Sequence, residues 1–276
     1  MGALKFLFLD ILTDDPEIKA EDNQMLAEYG GYSGLMHSCL GLENELEVIE
    51  AGFYPLADLD VVVDGMSPDR WDGVVIGGSV KDIGPNHFIE HWQAQVFRFI
   101  DQAHKWNMPM LGICGGHQYG ARALSRNPDA VIQNSMGPNR GSSSIILTND
   151  GERHPLFKDC SNSSLFQWSH AFVVMRLPVG AVRLAVHSQC LNAAFQAGSF
   201  IGVQWHPEFG ALEASDYGVK LMREILTSHL NEAEVDEERH QLELALDSDL
   251  RPAPDSAKIF ANWVEMVRTG FFQKDE

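Results

Sequence analysis

The run Met110-Leu-Gly-Ile-Cys-Gly-Gly-His-Gln-Tyr-Gly120 joins an apolar strand to a segment of helical spacing through Ala121, Ala123 and Leu124, and a glycine-flanked cysteine stands at the junction. A nucleophile on a tight strand-to-helix turn is lifted above the sheet, and flanking glycines let the backbone turn sharply without Cβ clashes. Cys114 occupies that place. The N-terminus of the following helix supplies partial positive charge that favours a thiolate, the reactive form of the group. The same turn aims the backbone N–H of Gly115 at the reacting centre. A lone cysteine is more often a small buried core residue, but the glycine pattern around this one favours the nucleophile.

A thiolate that attacks an amide needs a proton acceptor that later protonates the leaving amine. Gly202-Val-Gln-Trp-His-Pro-Glu208 is a strand end that carries one. Alternate residues of an extended segment point the same way, so Glu208 is placed to hold one tautomer of His206 while the other ring nitrogen faces the thiol. By themselves these two residues read better as a surface turn stopped by Pro207; together with Cys114 they outline a Cys–His–Glu triad. A third segment, Val74-Val-Ile-Gly-Gly-Ser79, is another strand ending in two glycines. A glycine there presents its N–H to a developing oxyanion with no side chain in the way, a donor worth roughly 2.7–4 kcal/mol in acyl transfer. Gly78, paired with Gly115, is the candidate, although a glycine pair after a strand is by itself more often a plain turn.

Short, turn-bounded apolar runs at Lys5–Leu12, Leu46–Ala51, Trp71–Ile76 and Met108–Ile113 alternate with helical spacing, most clearly at Ile89–Ala103, where Ile89, Trp92, Val96, Phe99 and Ile100 share a face. Strands apolar along their whole length are covered on both sides, so the expectation is an α/β fold with a mostly parallel central sheet and helices on both faces. The active site of such a sheet lies beyond the strand C-termini. Between Val131 and Val203 the pieces shorten to Ser144–Thr148, Phe172–Met175, Arg183–Val186 and Phe200–Val203, read as the far edge of the same sheet plus a hairpin. Residues 212–230 return to helical spacing as a closing helix. Residues 231–255 are strongly acidic, a solvated helix face or a linker. Arg251-Pro-Ala-Pro-Asp255 interrupts any helix there, and Ser256 is expected to cap a last one carrying Ile259, Phe260, Trp263, Val264 and Val267. The organisation expected is one domain over 1–230, with the acidic segment and final helix of 231–276 packed on it.

Composition narrows the partners. The 276 residues are 45% apolar and 21% charged, with a net charge of −19, which excludes a disordered chain and disfavours nucleic acid and anionic membranes as partners. The run Leu4 to Leu12 is short and interrupted by Lys5 and Asp10, unlike a signal peptide or a membrane span. Cys39, Cys114, Cys160 and Cys190 are far apart, with no CxxC pair and no clustered histidine, so no metal site and no disulfide framework is expected. That pattern suits a reducing cytoplasm.

The three segments, in this order and spacing, resemble the class I glutamine amidotransferase family, whose nucleophile motif has the form GxCxGxQ and whose distal motif reads GxQxHPE. Both are complete here, and the resemblance spans roughly residues 3–230 on a flavodoxin-like fold. It implies Cys114 as nucleophile, His206 as general base and acid, Glu208 as the group orienting His206, and Gly78 and Gly115 as oxyanion donors. It also implies that Gln118 helps bind the glutamyl group, and that Gln167-Trp-Ser-His-Ala-Phe172 is the strand whose Ser169 and His170 are binding candidates; an ordinary strand histidine is an equal reading of His170. With Tyr29-Gly-Gly-Tyr-Ser-Gly34 and Gly41-Leu-Glu, the chain is most similar to stand-alone members like the glutaminase half of GMP synthase and the gamma-glutamyl peptidases. It departs from the pattern at Gly115, where many relatives carry a bulkier residue, and at Ser79, where Pro often follows the glycine pair; a more mobile oxyanion loop is expected from both.

The reaction implied is hydrolysis of a small gamma-glutamyl amide through a glutamyl thioester, without metal or organic cofactor. Two versions stand open: an autonomous hydrolase, slightly favoured, and a glutaminase feeding ammonia to a separate synthase. Nothing after Phe209 resembles an ATP-pyrophosphatase domain and no GxxxxGK loop is present, so an ammonia acceptor is expected elsewhere. A noncatalytic binding protein that keeps the fold is the third reading, disfavoured by the intact triad.

Overall fold

The computed structural model describes residues 2–53, 67, 69–210 and 250–273. Its strands are β1 (Lys5–Asp10), β2 (Glu45–Glu50), β3 (Gly73–Ile76), β4 (Met110–Ile113), β5 (Val131–Gln133), β6 (Asn139–Ser144), β7 (Ile146–Leu147), β8 (Leu165–His170), β9 (Phe172–Val174), β10 (Val182–His187), β11 (Cys190–Ala197) and β12 (Phe200–Val203). Its helices are α1 (Pro16–Met25), α2 (Gly31–Leu40), α3 (His91–Lys105), α4 (Gly115–Ser125), α5 (Asn149–Arg153), α6 (Pro207–Gly210) and α7 (Ser256–Arg268).

Eight strands form one sheet in the order β2-β1-β3-β4-β12-β11-β10-β7. The first five run parallel, and β11, β10 and β7 complete the sheet with antiparallel pairings. The four apolar runs are β1 to β4, with ends that differ by one or two residues. Alternate residues of β1 explain why its run is apolar along Phe6–Leu9. Phe6 and Phe8 of β1 enter a core shared with Leu35, Met36 and Leu40 of α2 and Ile259, Phe260 and Trp263 of α7. Leu7 and Leu9 enter a second core with Trp92, Val96, Phe99 and Ile100 of α3 and Tyr119 and Ala121 of α4. Both faces are therefore covered, as the unbroken hydrophobicity of the strands requires.

The region 131–203 divides differently from the expectation. Ser144–Thr148 is not one strand: Ser144 ends β6 and only Ile146–Leu147 joins the main sheet. The expected hairpin is β10 with β11 at the far edge of the main sheet, and beside it there are two small antiparallel sheets, β5 with β9 and β6 with β8. Asn139–Ser144 reads NRGSSS, too polar for a strand buried on two faces, so it pairs outside the main sheet.

The last helix docks on the body: Trp263 is fully buried, its ring 5.4 Å from that of Phe6, and Asn262 Nδ2 donates to the carbonyls of Leu156 and Lys158 at 2.9 Å. Ser256 does not cap it. Ser256 is the first helical residue and is buried, while Asp255 holds the cap position in an αR conformation without a capping bond. Asp255 instead accepts from Ser161 N at 3.3 Å and from the Ser164 hydroxyl, and pairs with Lys258 at 2.5 Å. The expected helix over 212–230 and most of the acidic segment 231–255 lie outside the described residues.

Helix α4 lies so close to β12 that a Cβ at Gly120 would come within 2.0 Å of the Phe200 ring. Gly120→Ala therefore has to push α4 off the sheet, and overpacking of this kind costs about 1–3 kcal/mol. Urea denaturation should show that loss, and because α4 starts at Cys114, any turnover by the variant should fall with it.

Candidate active site

Cys114 sits between β4 and α4 with φ 47° and ψ −99°, a left-handed conformation costing a side-chain-bearing residue about 1–3 kcal/mol. Neighbours on both sides hold it there. Its N–H donates to Val203 O at 2.9 Å, and its carbonyl accepts the first bond of α4 from Gln118 N at 3.1 Å. Gly116 N donates to Gly77 O at 2.8 Å, which locks the turn against the end of β3. Only glycine fits: a Cβ would lie 2.2 Å from Ile76 O at position 116 and 2.5 Å from Ser79 N at position 115. The two departures from the family pattern, Gly115 and Ser79, thus meet each other in space, with Ser79 filling the place a side chain at 115 would need. The loop carrying Ser79 is tied down through Val80 N to Leu12 O at 2.9 Å and Lys81 N to Ser79 Oγ at 3.1 Å.

His206 follows β12, its N–H held by Gln167 O at 2.8 Å. Its Nδ1 lies 2.7 Å from Glu208 Oε1. The pairing does not use strand alternation as the sequence suggested. Pro207 opens the short helix α6, and Glu208 reaches His206 from the first turn of that helix. Glu208 is fully buried, so its charge acts at close range. Burial pushes His206 towards its neutral form, but the charges of Cys114 and Glu208 outweigh this and raise its pKa well above the ordinary value. The imidazolium is therefore the form held at neutral pH.

Cys114 and His206 open into one cavity with about 490 Å³ of empty space, counting its mouth, lined also by Tyr32, Gly78, Ser169 and Phe209. The thiol donates to Ser169 O at 3.4 Å and receives Gln204 Nε2 at 3.7 Å. Of the three substrate-binding candidates, only Ser169 lines the cavity. Gln118 does not line it; its Nε2 donates to Phe172 O at 2.9 Å and Gln204 Oε1 at 3.3 Å. His170 faces Asn139 Nδ2 at 3.3 Å and Phe172 O at 3.0 Å, and burial pushes it down to about 3, so it stays neutral.

The sequence pattern assigns no role to three residues near the thiol. Tyr32 donates its hydroxyl to Glu208 Oε1 at 3.1 Å and accepts from Gly78 N at 3.1 Å. It thereby joins the candidate oxyanion glycine to the acid behind His206. Its only sequence signal is membership of Tyr29-Gly-Gly-Tyr-Ser-Gly34. Gln204, within the distal motif, reaches the thiol itself. Asp22 lines the cavity from α1, a segment whose chemistry nothing in the pattern marks. Among the described residues, no cluster of side chains is arranged to hold a metal ion, and no helix is long and apolar enough to cross a membrane.

The family model for class I glutamine amidotransferases matches residues 47–225. The chain is 28% identical over 153 residues to the glutamine-hydrolysing GMP synthase of Bacillus licheniformis, a match covering 55% of this chain and 26% of that protein, so the chain spans about a quarter of that relative. It is 29% identical over 207 residues to the glutamine-hydrolysing GMP synthase subunit of Archaeoglobus fulgidus, covering 73% of this chain and 95% of the relative. The crystal structure of a glutamine amidotransferase from Thermotoga maritima superimposes with a TM-score of 0.60 at 17% identity, covering 99% of this chain and 100% of the other.

Two outcomes follow from this geometry. Burial pushes the thiols of Cys160 and Cys190 up to about 11 and 12, and that of Cys39 higher still, whereas Cys114 opens into the cavity beside an imidazolium. Iodoacetamide at neutral pH should alkylate Cys114 first, as peptide mapping will show; faster labelling of any other cysteine contradicts this. Tyr32→Phe removes a hydrogen bond to a buried carboxylate, and denaturant titration should show a loss of about 1–3 kcal/mol.

Proposed function

The chain belongs to the class I glutamine amidotransferase family, and from that premise we propose that it hydrolyses a γ-glutamyl amide through a covalent Cys114 thioester. One observation carries the reading. A cysteine on a strained strand-to-helix turn shares a cavity with a histidine whose far nitrogen is held 2.7 Å from a buried carboxylate. A reactive sulfur, a proton carrier and an orienting acid are the complement that acyl transfer requires.

In the proposed cycle the Cys114 thiolate attacks the side-chain carbonyl carbon, and the carbonyl electron pair moves onto oxygen. The N–H groups of Gly78 and Gly115 receive that oxyanion, the Gly78 N–H exchanging its present acceptor, the Tyr32 hydroxyl, for it. His206, already protonated and oriented by Glu208, gives its proton to the departing nitrogen as the C–N bond breaks. Neutral His206 then takes a proton from water, which attacks the thioester and releases glutamate and the thiolate. Gln118, Ser169 and His170 belong to the acyl side. Ser169 touches the cavity directly, and the other two fix the strand carbonyls and Gln204 around the thiol.

The Archaeoglobus fulgidus relative, a GMP synthase subunit nearly all of which this chain matches, supports a second version in which the ammonia passes to a separate synthase. Four free thiols fit a reducing compartment such as the cytoplasm in either case.

Incubation of the purified chain with glutamine, glutathione and simple γ-glutamyl amides should release glutamate. Added hydroxylamine should divert part of the product to γ-glutamyl hydroxamate, the signature of the thioester. Cys114→Ala should abolish both, and Glu208→Gln should lower kcat/KM by about two to four orders of magnitude. Full activity in Cys114→Ala would refute the mechanism. A chain silent alone but activated by a synthase selects the ammonia-supplying version.

A further inference from the structure

Asp22 is the only carboxylate among the described residues that line the cavity. It projects from the second turn of α1, is 5% exposed, and its Oδ2 has no hydrogen-bond partner among the described residues. Buried carboxylate oxygens are nearly always partnered, so an orphan on a residue that lines the cavity marks the place of a missing donor. The nearby cation cannot serve, because Lys19, one turn earlier, is bound to Asp10 at the end of β1 and lies 3.5 Å from Glu50. That buried ion pair also fixes the helix, so Asp22 does not swing freely. Of the charges acting on it among the described residues, Asp10 and Glu208 are negative and only Lys19 is positive. An anion is repelled from this spot, and a cationic donor is held more strongly than a neutral one.

Asp22 lines the cavity together with His206 and with Tyr32, whose hydroxyl donates to the same Glu208 that holds His206, the group that hands a proton to the departing nitrogen. Gln118 and His170, on the acyl side, turn towards Phe172. We propose that Asp22 receives an ammonium group carried by the leaving amine, so that the preferred substrates are γ-glutamyl amides of cationic amines rather than of amino acids or peptides. This deepens the hydrolase reading above and rests on it. Burial, with Asp10 and Glu208 adding and Lys19 opposing, pushes the Asp22 carboxyl up to about 7. The empty site is thus only partly ionised at neutral pH, and its preference for a cation grows as the pH rises through that value.

The test is steady-state hydrolysis by the full chain of three amides differing only in the leaving amine: γ-glutamyl 4-aminobutylamide (cationic), γ-glutamyl butylamide (neutral) and γ-glutamylglycine (anionic). The expected order of kcat/KM is cationic, neutral, anionic, with at least a tenfold preference for the first over the second. The ratio of those two, in which titrations shared by both amides cancel, should rise with pH through about 7. Asp22→Asn should bring the ratio close to one by raising KM for the cationic amide far more than for the butylamide. Asp22→Glu, which keeps the charge, should retain a preference and serves if the asparagine variant folds poorly. A wild-type ratio near one overturns the proposal. So does an Asp22→Asn variant that keeps the preference, or one that weakens all three amides equally, which would place the α-ammonium of the glutamyl group at Asp22. Calorimetric titration of Cys114→Ala protein with the cationic amide, with and without Asp22→Asn, separates the two failures. Asp22-dependent binding without turnover in the wild type removes the hydrolase reading alone, and binding indifferent to Asp22 removes the Asp22 assignment.

Discussion

The close approach of two backbone segments, the turn at Cys114 and the end of β3, is the constraint on which the rest depends. The bond from Gly116 N to Gly77 O at 2.8 Å exists only because neither position 115 nor 116 carries a Cβ. It forces Cys114 into positive φ and turns its side chain out of the sheet. Strain of this kind persists only where surrounding structure over-determines it. Here β4 is flanked by parallel partners on both sides, with Ile76 paired to Gly112 and Val203 to Ile113. The strand ends that carry Gly78, Cys114 and His206 are consequently neighbours at one edge. Sheet order alone brings together residues that lie far apart along the chain.

Electrostatics then sorts the groups at that edge. Asp10, Asp22 and Glu208 are all buried, within a chain of net charge −19, and each has to be compensated or left costly. Asp10 is answered by Lys19, and Glu208 by His206 and the Tyr32 hydroxyl. These two answers also join elements: one ties α1 to β1, and the other ties α2 to the distal motif. Asp22 has no such answer at its Oδ2 among the described residues. Acidic surroundings also raise the local concentration of cations at the mouth of the cavity.

Legibility in the sequence tracks how local each determinant is. The parallel strands are visible because burial on two faces leaves unbroken apolar runs such as Phe6–Leu9. The turn at Cys114 is visible because strand, glycines and helix are contiguous. Helices α1 and α2 carry no such continuous signal. Lys19 and Asp22 face inward from α1, so its buried face looks polar and its amphipathic pattern is lost. Tyr32 and Asp22 therefore carry no readable role, since their partners, Glu208 and the cavity, exist only after folding. The spacing of His206 and Glu208 reveals the pair, but the geometry joining them comes from the first turn of α6, which Pro207 starts, and not from strand alternation. Polar strands such as Asn139–Ser144 escape assignment because they lack an apolar face to fix their register.

The Tyr32 hydroxyl gives the resting site a property relevant to catalysis on the hydrolase reading. With the cavity empty, the Gly78 N–H is engaged by a neutral oxygen at 3.1 Å, a bond of roughly 0.5–1.5 kcal/mol. A bound amide carbonyl is also a neutral acceptor, so exchanging one for the other gains little and contributes little to ground-state binding. Once the sulfur adds and the oxygen becomes an anion, the same N–H makes a charge-assisted bond about twice as strong. The exchange is then favourable only as the tetrahedral species forms. Interactions of this kind raise kcat without tightening substrate binding. The displaced Tyr32 hydroxyl is not orphaned, because it keeps its bond to Glu208, the carboxylate that steadies the His206 imidazolium until its proton is given up.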